Sequence, residues 1–223
     1  MILQIKQERT NFGMSWVLSQ NGERKGYAQA PFEKNKFQVF FDDNCDKRLY
    51  YNPRDLTWGK KLTDRLSFKY FESSMLVGTI VGCTKKLGFL KSYAFYEFKC
   101  KDKIYYGYEV GFGKGGLYFC IYQNEILIAI VEKELKVINY RDNYIVYTMN
   151  SDLINVIFPF VIYYDATAYG DVLEVAVRSV KVKRVNTIQP ELKNKFDASF
   201  IEAAKQEDNH LKRQTNRNDF SNL

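Results

Sequence analysis

The sequence is poor in the residues that most catalytic and metal sites require. It has one histidine, His210, and four cysteines, Cys45, Cys83, Cys100 and Cys120, none of which forms a CxxC pair. Structural zinc sites take four ligands, usually Cys and His in locally paired spacing, so we expect no metal and no other cofactor. Four cysteines without such spacing predict reduced, mostly buried thiols in a cytoplasmic protein.

Long apolar segments are missing as well. The longest, residues 153–164, contains Asn155 and Pro159 and is too short to span a bilayer. The N-terminus, Met1 to Glu8, is interrupted at once by polar residues and is not typical of a signal peptide. We therefore expect a cytoplasmic protein, peripheral at a membrane if it binds one.

Short strands separated by turns dominate the first 150 residues. Aromatic residues make up 16% of the chain, which favours pleated strands. Turn signals such as Asn21-Gly22 recur every 8–12 residues or so, a spacing typical of a β-sandwich or barrel. About a dozen strands in one antiparallel sheet would leave long edges unless the sheet closes. The pattern predicts a mainly β fold, a closed antiparallel barrel of about twelve strands. The later predicted strands are 75–81, 92–99, 104–110, 117–122, 125–131 and 143–149.

The pattern changes after Ser151 and Asp152, which are both good N-cap residues. Residues 153–165 are apolar on every face, and a helix of that kind is buried on every face. The length of the run favours a helix. Its β-branched residues and Pro159 favour one or two buried strands instead. The pattern alone leaves both open, with a helix over 152–165 slightly preferred.

The last fifty residues are more polar. Residues 172–185 alternate weakly and predict one or two further strands. Residues 197–204 predict a short helix, with Phe196, Phe200 and Ile201 on one side. Residues 205–223 contain almost nothing apolar and predict a flexible tail. We therefore divide the chain into a domain over 1–185 and a C-terminal extension over 186–223.

Residues 104–165 resemble the tubby C-terminal-like superfamily, which includes tubby, the plant LURP-one-related proteins and the phospholipid scramblases. The matching segments, in order, are Tyr106-Gly107-Tyr108-Glu109-Val110, the glycine-rich turn 111–116, the strand 117–122, the strand Glu125 to Lys133 with its Ala129, the strand 142–147, and the apolar run that ends in Tyr163-Tyr164-Asp165. Residues 191–201 are similar to the tails of uncharacterised bacterial members. The resemblance implies a twelve-stranded closed barrel with a hydrophobic helix threaded through it, so it favours a helix at 152–165. Pro159 departs from that pattern, since it would kink the helix or shift its start.

Two segments resemble ligand-binding motifs, but the residues within or after them do not fit those motifs. Residues 111–116 satisfy GxGxxG, but a dinucleotide site needs a helix next, and residues 117–122 indicate a strand, so we interpret the segment as a turn. Residues 42–53 open like a calcium loop, but Lys47 and Pro53 stand where Gly and Glu are required. We interpret this segment as a polar turn.

Catalytic motifs are absent from the sequence. It has no GxSxG and no Walker A loop, and its histidine lies in the polar tail. General acid–base catalysis uses histidine most often, so we do not expect an enzyme. An enzyme whose catalytic groups meet only in space remains the third alternative.

The net charge of +7 suits an anionic partner, although it also suits ordinary solubility. The densest basic stretch, residues 84–103, is interleaved with aromatic residues. Lysines in a turn beside an apolar tip suit an anionic membrane surface, so Lys85, Lys86, Lys91 and Phe89 are the candidate ligand-binding residues. The structural alternative is a solvated strand face on which lysines protect an edge.

The leading hypothesis is a non-catalytic binding module, and the resemblance implies an anionic phospholipid or its head-group as the partner. The phosphoinositide residues of the family do not match this sequence position by position, so none is carried over. The second hypothesis is single-stranded nucleic-acid binding by the same basic and aromatic face. A protein partner is compatible with either, and we expect a monomer. A second basic cluster comprises Arg178, Lys181, Lys183 and Arg184.

Overall fold

The computed structural model describes residues 1–10, 13–31, 36–41, 46–51, 68–72, 75–88, 91–135, 141–168 and 185–220. Within these ranges the strands are β1 (Ile2–Thr10), β2 (Gly13–Gln20), β3 (Glu23–Pro31), β4 (Lys36–Phe41), β5 (Asp46–Tyr51), β6 (Phe68–Glu72), β7 (Met75–Gly88), β8 (Lys91–Cys100), β9 (Lys103–Gly111), β10 (Leu117–Gln123), β11 (Ile126–Lys133) and β12 (Asn143–Thr148). The helices are α1 (Ile154–Ala168), α2 (Pro190–Lys193) and α3 (Ala198–Phe220).

Consecutive strands among the described residues pair antiparallel, and β1 pairs with β12 as well as with β2. In β1 the alternation is clear, because Leu3 and Ile5 are buried while Gln4 and Lys6 are exposed. Ile5 lies opposite Leu18 of β2 and Tyr144 of β12, which places three buried side chains on one face. The mainly β, antiparallel fold that the sequence predicts is confirmed.

The apolar run forms a helix, as predicted, although its bounds differ. A short 3-10 turn at Ser151–Leu153 comes first, and the Asn150 side chain caps it by accepting the Asp152 N–H at 2.8 Å. Helix α1 then runs from residue 154 to residue 168, through Pro159. A proline has no N–H for the carbonyl four residues earlier, here that of Asn155. The Tyr70 hydroxyl donates to this carbonyl oxygen at 3.5 Å, so β6 partly replaces the bond that Pro159 removes.

Residues 156–165 of helix α1 are all buried, although Asn155 near its start is exposed. Phe158, Ile162 and Tyr163 have no exposed surface, and they belong to one core cluster with Leu3 of β1 and Phe119 of β10. The hydroxyl of Tyr164 donates to the Glu109 carboxylate of β9 at 2.5 Å. The helix therefore belongs to the main core, where it packs against side chains of the sheet.

A second hydrophobic layer lies on the outer face of β8 to β12. Cys120 and Ile130 point into this layer, and Leu192 of α2 and Ile201 of α3 cover it. Before α2 the chain also joins the sheet, because the Thr187 N–H donates to the Gly111 carbonyl at 2.8 Å. The C-terminal residues thus pack against the first domain along its outer face. The proposed boundary at residue 185 stays a prediction.

Helix α3 extends from residue 198 to residue 220, so the short C-terminal helix predicted over 197–204 is wrong in its length. The flexibility predicted for residues 205–223 stays a prediction. Three side chains of α3, Ile201, Ala204 and Asp208, are buried and recur at helical spacing. The Asp208 carboxylate accepts the Ile2 backbone N–H at 3.0 Å and forms an ion pair with Lys212 at 2.6 Å. Ile201 is on the apolar side that the sequence indicates, whereas the contacts of Ala204 and Asp208 are ones that a search for large apolar residues misses.

The thiols are less buried than predicted. Cys120 is buried, whereas Cys83 and Cys100 are half-buried, and none of the three is in a disulfide. Burial raises the pKa of the Cys120 thiol to about 12. Cys45 lies outside the described residues, as do most of the predicted strands in 172–185.

No helix among the described residues is both long and apolar enough to cross a membrane.

Candidate functional site: a basic hairpin and an aromatic face

The three candidate lysines lie at one end of the β7–β8 hairpin. Lys85 and Lys86 are in β7, Lys91 begins β8, and all three side chains are exposed. The prediction that Lys85 and Lys86 lie in a turn is wrong, because β7 continues to Gly88, seven residues beyond the predicted end at Val81. Phe89 lies outside the described residues.

The register of the hairpin fixes how these cations are arranged. Lys85 is opposite Tyr93, and Lys86 is opposite Ser92. Since neighbouring residues of a strand point to opposite faces, Lys85 and Lys86 project from the two faces of the hairpin. Among the described residues, no carboxylate lies within ion-pair distance of Lys85, Lys86 or Lys91. The hairpin end is thus positive on both faces.

Aromatic side chains continue from Lys85 along the outer face of the sheet. Tyr93, opposite Lys85, lies 6.3 Å from Tyr108, and Phe95 stacks on Tyr108 at 5.9 Å. Tyr122 meets Tyr108 edge-on at 5.7 Å. Burial raises the pKa of Tyr122 to about 12, so its hydroxyl remains neutral near pH 7. Lys85, Tyr93 and Phe95 therefore share the outer surface, whereas Tyr96 and Phe98 of the same strand pack into the main core.

Part of this aromatic face is occupied by the C-terminal segment. The Lys195 ammonium lies 4.9 Å from the ring centroid of Tyr108 and 4.8 Å from that of Tyr122. The Tyr122 hydroxyl donates to the Lys195 carbonyl at 2.8 Å. Near the hairpin end, the Gln189 amide donates to the Ser92 carbonyl at 3.3 Å. These contacts fasten the segment to the sheet and leave the hairpin lysines uncovered.

The glycine-rich segment connects two strands, as interpreted from the sequence. Residues Gly113–Gly115 form a 3-10 turn between β9 and β10. No α-helix follows the segment, so its backbone N–H groups do not form the phosphate site of a dinucleotide fold. The calcium-like segment and the second basic cluster, Arg178, Lys181, Lys183 and Arg184, lie outside the described residues, apart from the part of the former within β5.

A buried polar network that no sequence motif indicates joins the end of α1 to the sheet. The Asp165 carboxylate is fully buried and accepts the Trp16 indole N–H at 2.7 Å and the Gln7 side-chain amide at 2.9 Å. The Tyr144 hydroxyl donates to its other oxygen. Strands β1, β2 and β12 therefore each supply one donor to a single carboxylate of the helix.

A buried ion pair extends this network. Gln7 accepts the Asp142 N–H at 3.0 Å and donates its own N–H to the Asp142 carbonyl at 2.9 Å. The Asp142 carboxylate pairs with Lys133, and both side chains are buried. Burial and the nearby Asp142 charge raise the pKa of Asp165 to about 6, against the hydrogen bonds from Tyr144 and Trp16. The three donors around Asp165 all come from the sheet, which is the arrangement of a structural carboxylate.

The core offers little room for chemistry. The gap between α1 and strands β8 to β10, lined by Phe98, Tyr105, Gly107, Ile121, Val156 and Phe160, is too small to admit a water molecule. Among the described residues, no group of three or more His, Cys, Asp or Glu side chains is placed to hold a metal ion.

Comparison with known proteins gives no relative for this chain: no family model, no curated protein and no solved structure matches it. The resemblance to the tubby C-terminal-like superfamily thus stays a prediction, and function has to be argued from the surface itself.

Proposed function

We propose that this chain is a non-catalytic module that binds anionic phospholipid head-groups at a membrane surface, through the end of the β7–β8 hairpin. The observation that carries the proposal is the group of three exposed ammonium ions, Lys85, Lys86 and Lys91, with no described carboxylate in ion-pair distance. Near an anionic membrane each lysine contributes on the order of 1 kcal/mol of attraction. Together the three lysines contribute on the order of 3 kcal/mol, which corresponds to weak, reversible attraction.

The arrangement of these lysines supports a ligand contact over simple edge protection. Lysines that protect a sheet edge project along one unpaired strand. Here Lys85 and Lys86 point to opposite faces of a strand that is paired with β8, and Lys91 is on that partner strand. The three charges surround the end of the β7–β8 hairpin. Such an end can contact a flat anionic surface before the rest of the sheet does.

The interior supports a surface function as well. We propose that the twelve strands form a closed barrel plugged by α1, since β1 pairs with both β2 and β12. In such a barrel the helix side chains fill the volume that a substrate would need. Binding then takes place on the hairpins and the outer face, where the exposed lysines and aromatic rings are.

The test is flotation with vesicles that contain a fifth of acidic phospholipid. The wild-type chain is expected to float with the vesicles. The double variant Lys85→Glu with Lys86→Glu reverses two charges and is expected to lose at least 90% of the bound protein, on the order of a tenfold or greater change in affinity.

A matched control uses two lysines at the turn of the next hairpin, β8–β9, which lies at the opposite end of the sheet. Lys101 and Lys103 are also exposed, and their double replacement by Glu makes the same change in net charge. This control is expected to float like the wild type. Equal loss in both double variants would show that only net charge matters, and an unaffected Lys85→Glu, Lys86→Glu variant would refute the proposed site.

The same variants separate lipid from nucleic acid. If the partner were a single strand, binding to an oligonucleotide would fall steeply with salt and would depend on Lys85 and Lys86. Oligonucleotide binding of that kind, without vesicle binding, would replace the lipid proposal by the nucleic-acid alternative.

A further inference from the structure

The segment before α2 is attached to the sheet on both sides of one exposed isoleucine. Thr187 donates its backbone N–H to the Gly111 carbonyl at 2.8 Å, and its hydroxyl oxygen accepts the Gly111 N–H at 2.9 Å. On the other side, the Gln189 amide donates to the Ser92 carbonyl at 3.3 Å. Ile188, between these two contacts, is 83% exposed, the largest exposed fraction among the large hydrophobic side chains of the described residues.

The contact of this segment with the end of β9 is close enough to require glycine. A Cβ atom at Gly111 would lie 2.2 Å from the Val185 carbonyl oxygen. The Gly113 N–H donates to the same oxygen at 2.8 Å. The backbone on both sides of Ile188 is therefore held in place before any partner arrives, so little conformational entropy is lost when its side chain binds one.

Exposed lysines lie on both sides of Ile188. Ser92 follows Lys91 of the basic hairpin, and Gly111 precedes the β9–β10 turn, in which Lys114 is exposed. Because β8 and β9 are antiparallel, the start of β8 and the end of β9 are at the same end of the sheet. No carboxylate of the described residues lies within ion-pair distance of Lys114, as is also true of the three hairpin lysines.

Few acidic side chains oppose these lysines. Within residues 84–88, 91–118 and 185–193 two carboxylates are exposed, those of Asp102 and Glu191. Asp102 is in the β8–β9 turn at the opposite end of the sheet, and Glu191 is in α2, three residues after Ile188. One exposed carboxylate thus stands against Lys85, Lys86, Lys91 and Lys114, and the charge around Ile188 is net positive.

We propose that Ile188 is the apolar anchor of the head-group site and enters the interfacial region of an acidic membrane between Lys91 and Lys114, an inference that rests on the proposed function. An apolar side chain flanked by lysines suits the boundary of head-groups and acyl chains, because the ammonium groups can reach phosphates while the side chain leaves water. The lysines supply the attraction, and Ile188 sets the depth of contact. One isoleucine adds little affinity by itself, so neutral vesicles should bind the chain much more weakly than acidic ones.

Flotation with the acidic vesicles described above tests the anchor. Ile188→Asn is expected to lower partition by about threefold or more, because an amide replaces the apolar group that enters the interface. Ile126→Asn is the matched control: the same change at a side chain that is 67% exposed, at the opposite end of the sheet. It should float like the wild type. Both positions are exposed, so both variants should unfold at the wild-type temperature.

The second flanking lysine is tested by charge removal. Lys114→Gln is expected to lower partition on acidic vesicles by about fivefold, the effect of one lysine near the surface. Lys103→Gln, an exposed position at the opposite end of the sheet, makes the same change in net charge and should have little effect. Equal losses in the two variants would remove Lys114 from the contact.

A tryptophan probe reports entry into the bilayer. Relative to the wild type, the added emission of Ile188→Trp should shift to shorter wavelength on acidic vesicles, and that of Ile126→Trp should not. Absence of wild-type flotation would overturn the proposed function and this inference with it. Flotation that requires Lys85 and Lys86, but is equal in the two asparagine variants and leaves the Ile188→Trp emission unshifted, would overturn this inference alone. So would a wild-type dimer that Ile188→Asn converts to a monomer with vesicle binding unchanged, since Ile188 would then contact a second copy.

Discussion

Replacing Asp165 with alanine is expected to lower the free energy of unfolding by about 4 kcal/mol. The carboxylate accepts from Trp16, Gln7 and Tyr144 in a fully buried environment. Each donor that is left without an acceptor costs about 1–3 kcal/mol, and breaking a buried charged network costs about 3–5 kcal/mol. Urea unfolding followed by tryptophan fluorescence measures the change.

Two further variants test whether loss of the Asp165 acceptor causes this decrease in the free energy of unfolding. Tyr144→Phe removes one donor and leaves the carboxylate satisfied by the other two, so it should cost only about 1 kcal/mol. Asp102→Ala, at an exposed turn position, should change stability by less than about 0.5 kcal/mol. A loss in Asp165→Ala no larger than that in Asp102→Ala would contradict the assignment of the network.

The same carboxylate predicts a pH dependence. Its pKa is raised to about 6 in the folded chain, from 3.8, mainly by burial and next by Asp142. The folded state therefore binds more protons than the unfolded state between those values, and this contribution favours folding at low pH and is lost as the pH rises through about 6. The wild type minus Asp165→Asn difference in unfolding free energy should decrease from pH 4 to pH 7. A difference that increases with pH would show that the pKa is lowered instead.

Replacing Gly107 with valine is expected to cost about 3 kcal/mol. Gly107 is on the inner face of β9, opposite Tyr96 of β8 and Ile121 of β10. A Cβ atom at this position would overlap Cζ of Phe160 in α1 and lie 3.1 Å from its Cε1. Phe160 is buried and meets Tyr96 edge-on at 5.7 Å, so its ring has little freedom to move. Overpacking a filled core in this way typically costs about 1–3 kcal/mol, and more where backbone must shift.

Gly82 supplies the matched control. It is in β7 and is also opposite Tyr96, yet a Cβ atom there would meet nothing within 4 Å. Valine favours strands over glycine, so Gly82→Val should be neutral or slightly stabilising. The contrast between two glycines beside the same tyrosine isolates the contact with α1 from any general effect of valine in the sheet.

Much of the fold can be predicted from the sequence, because strands β7 to β12 follow local alternation and turn residues. The bounds predicted for 104–110, 117–122 and 143–149 differ from β9, β10 and β12 by one residue at each changed end. α1 could be located by its apolar character, but its continuity through Pro159 is supported by Tyr70 of a distant strand. Long-range contacts of this kind leave no local signal.

Only part of the candidate site could be predicted from the sequence, because some of its features depend on long-range contacts. Lysines in a short segment are visible in the sequence, so Lys85, Lys86 and Lys91 could be identified. Their place within strands was missed, because Thr84, Lys85 and Lys86 are polar and resemble a turn. The network around Asp165 combines residues from several distant strands, and only the antiparallel pairing brings them together.

The packing of α1 inside the sheet is the central claim, and a double-mutant cycle between Gly107 and Phe160 tests it most directly. Phe160→Ala by itself should cost about 4 kcal/mol through the cavity it leaves. In the double variant the valine at 107 occupies that cavity, so Gly107→Val with Phe160→Ala should be more stable than the sum of the single losses predicts, by about 2 kcal/mol. Additive losses in urea unfolding would contradict the account, because they would mean that the helix ring and the strand glycine do not touch.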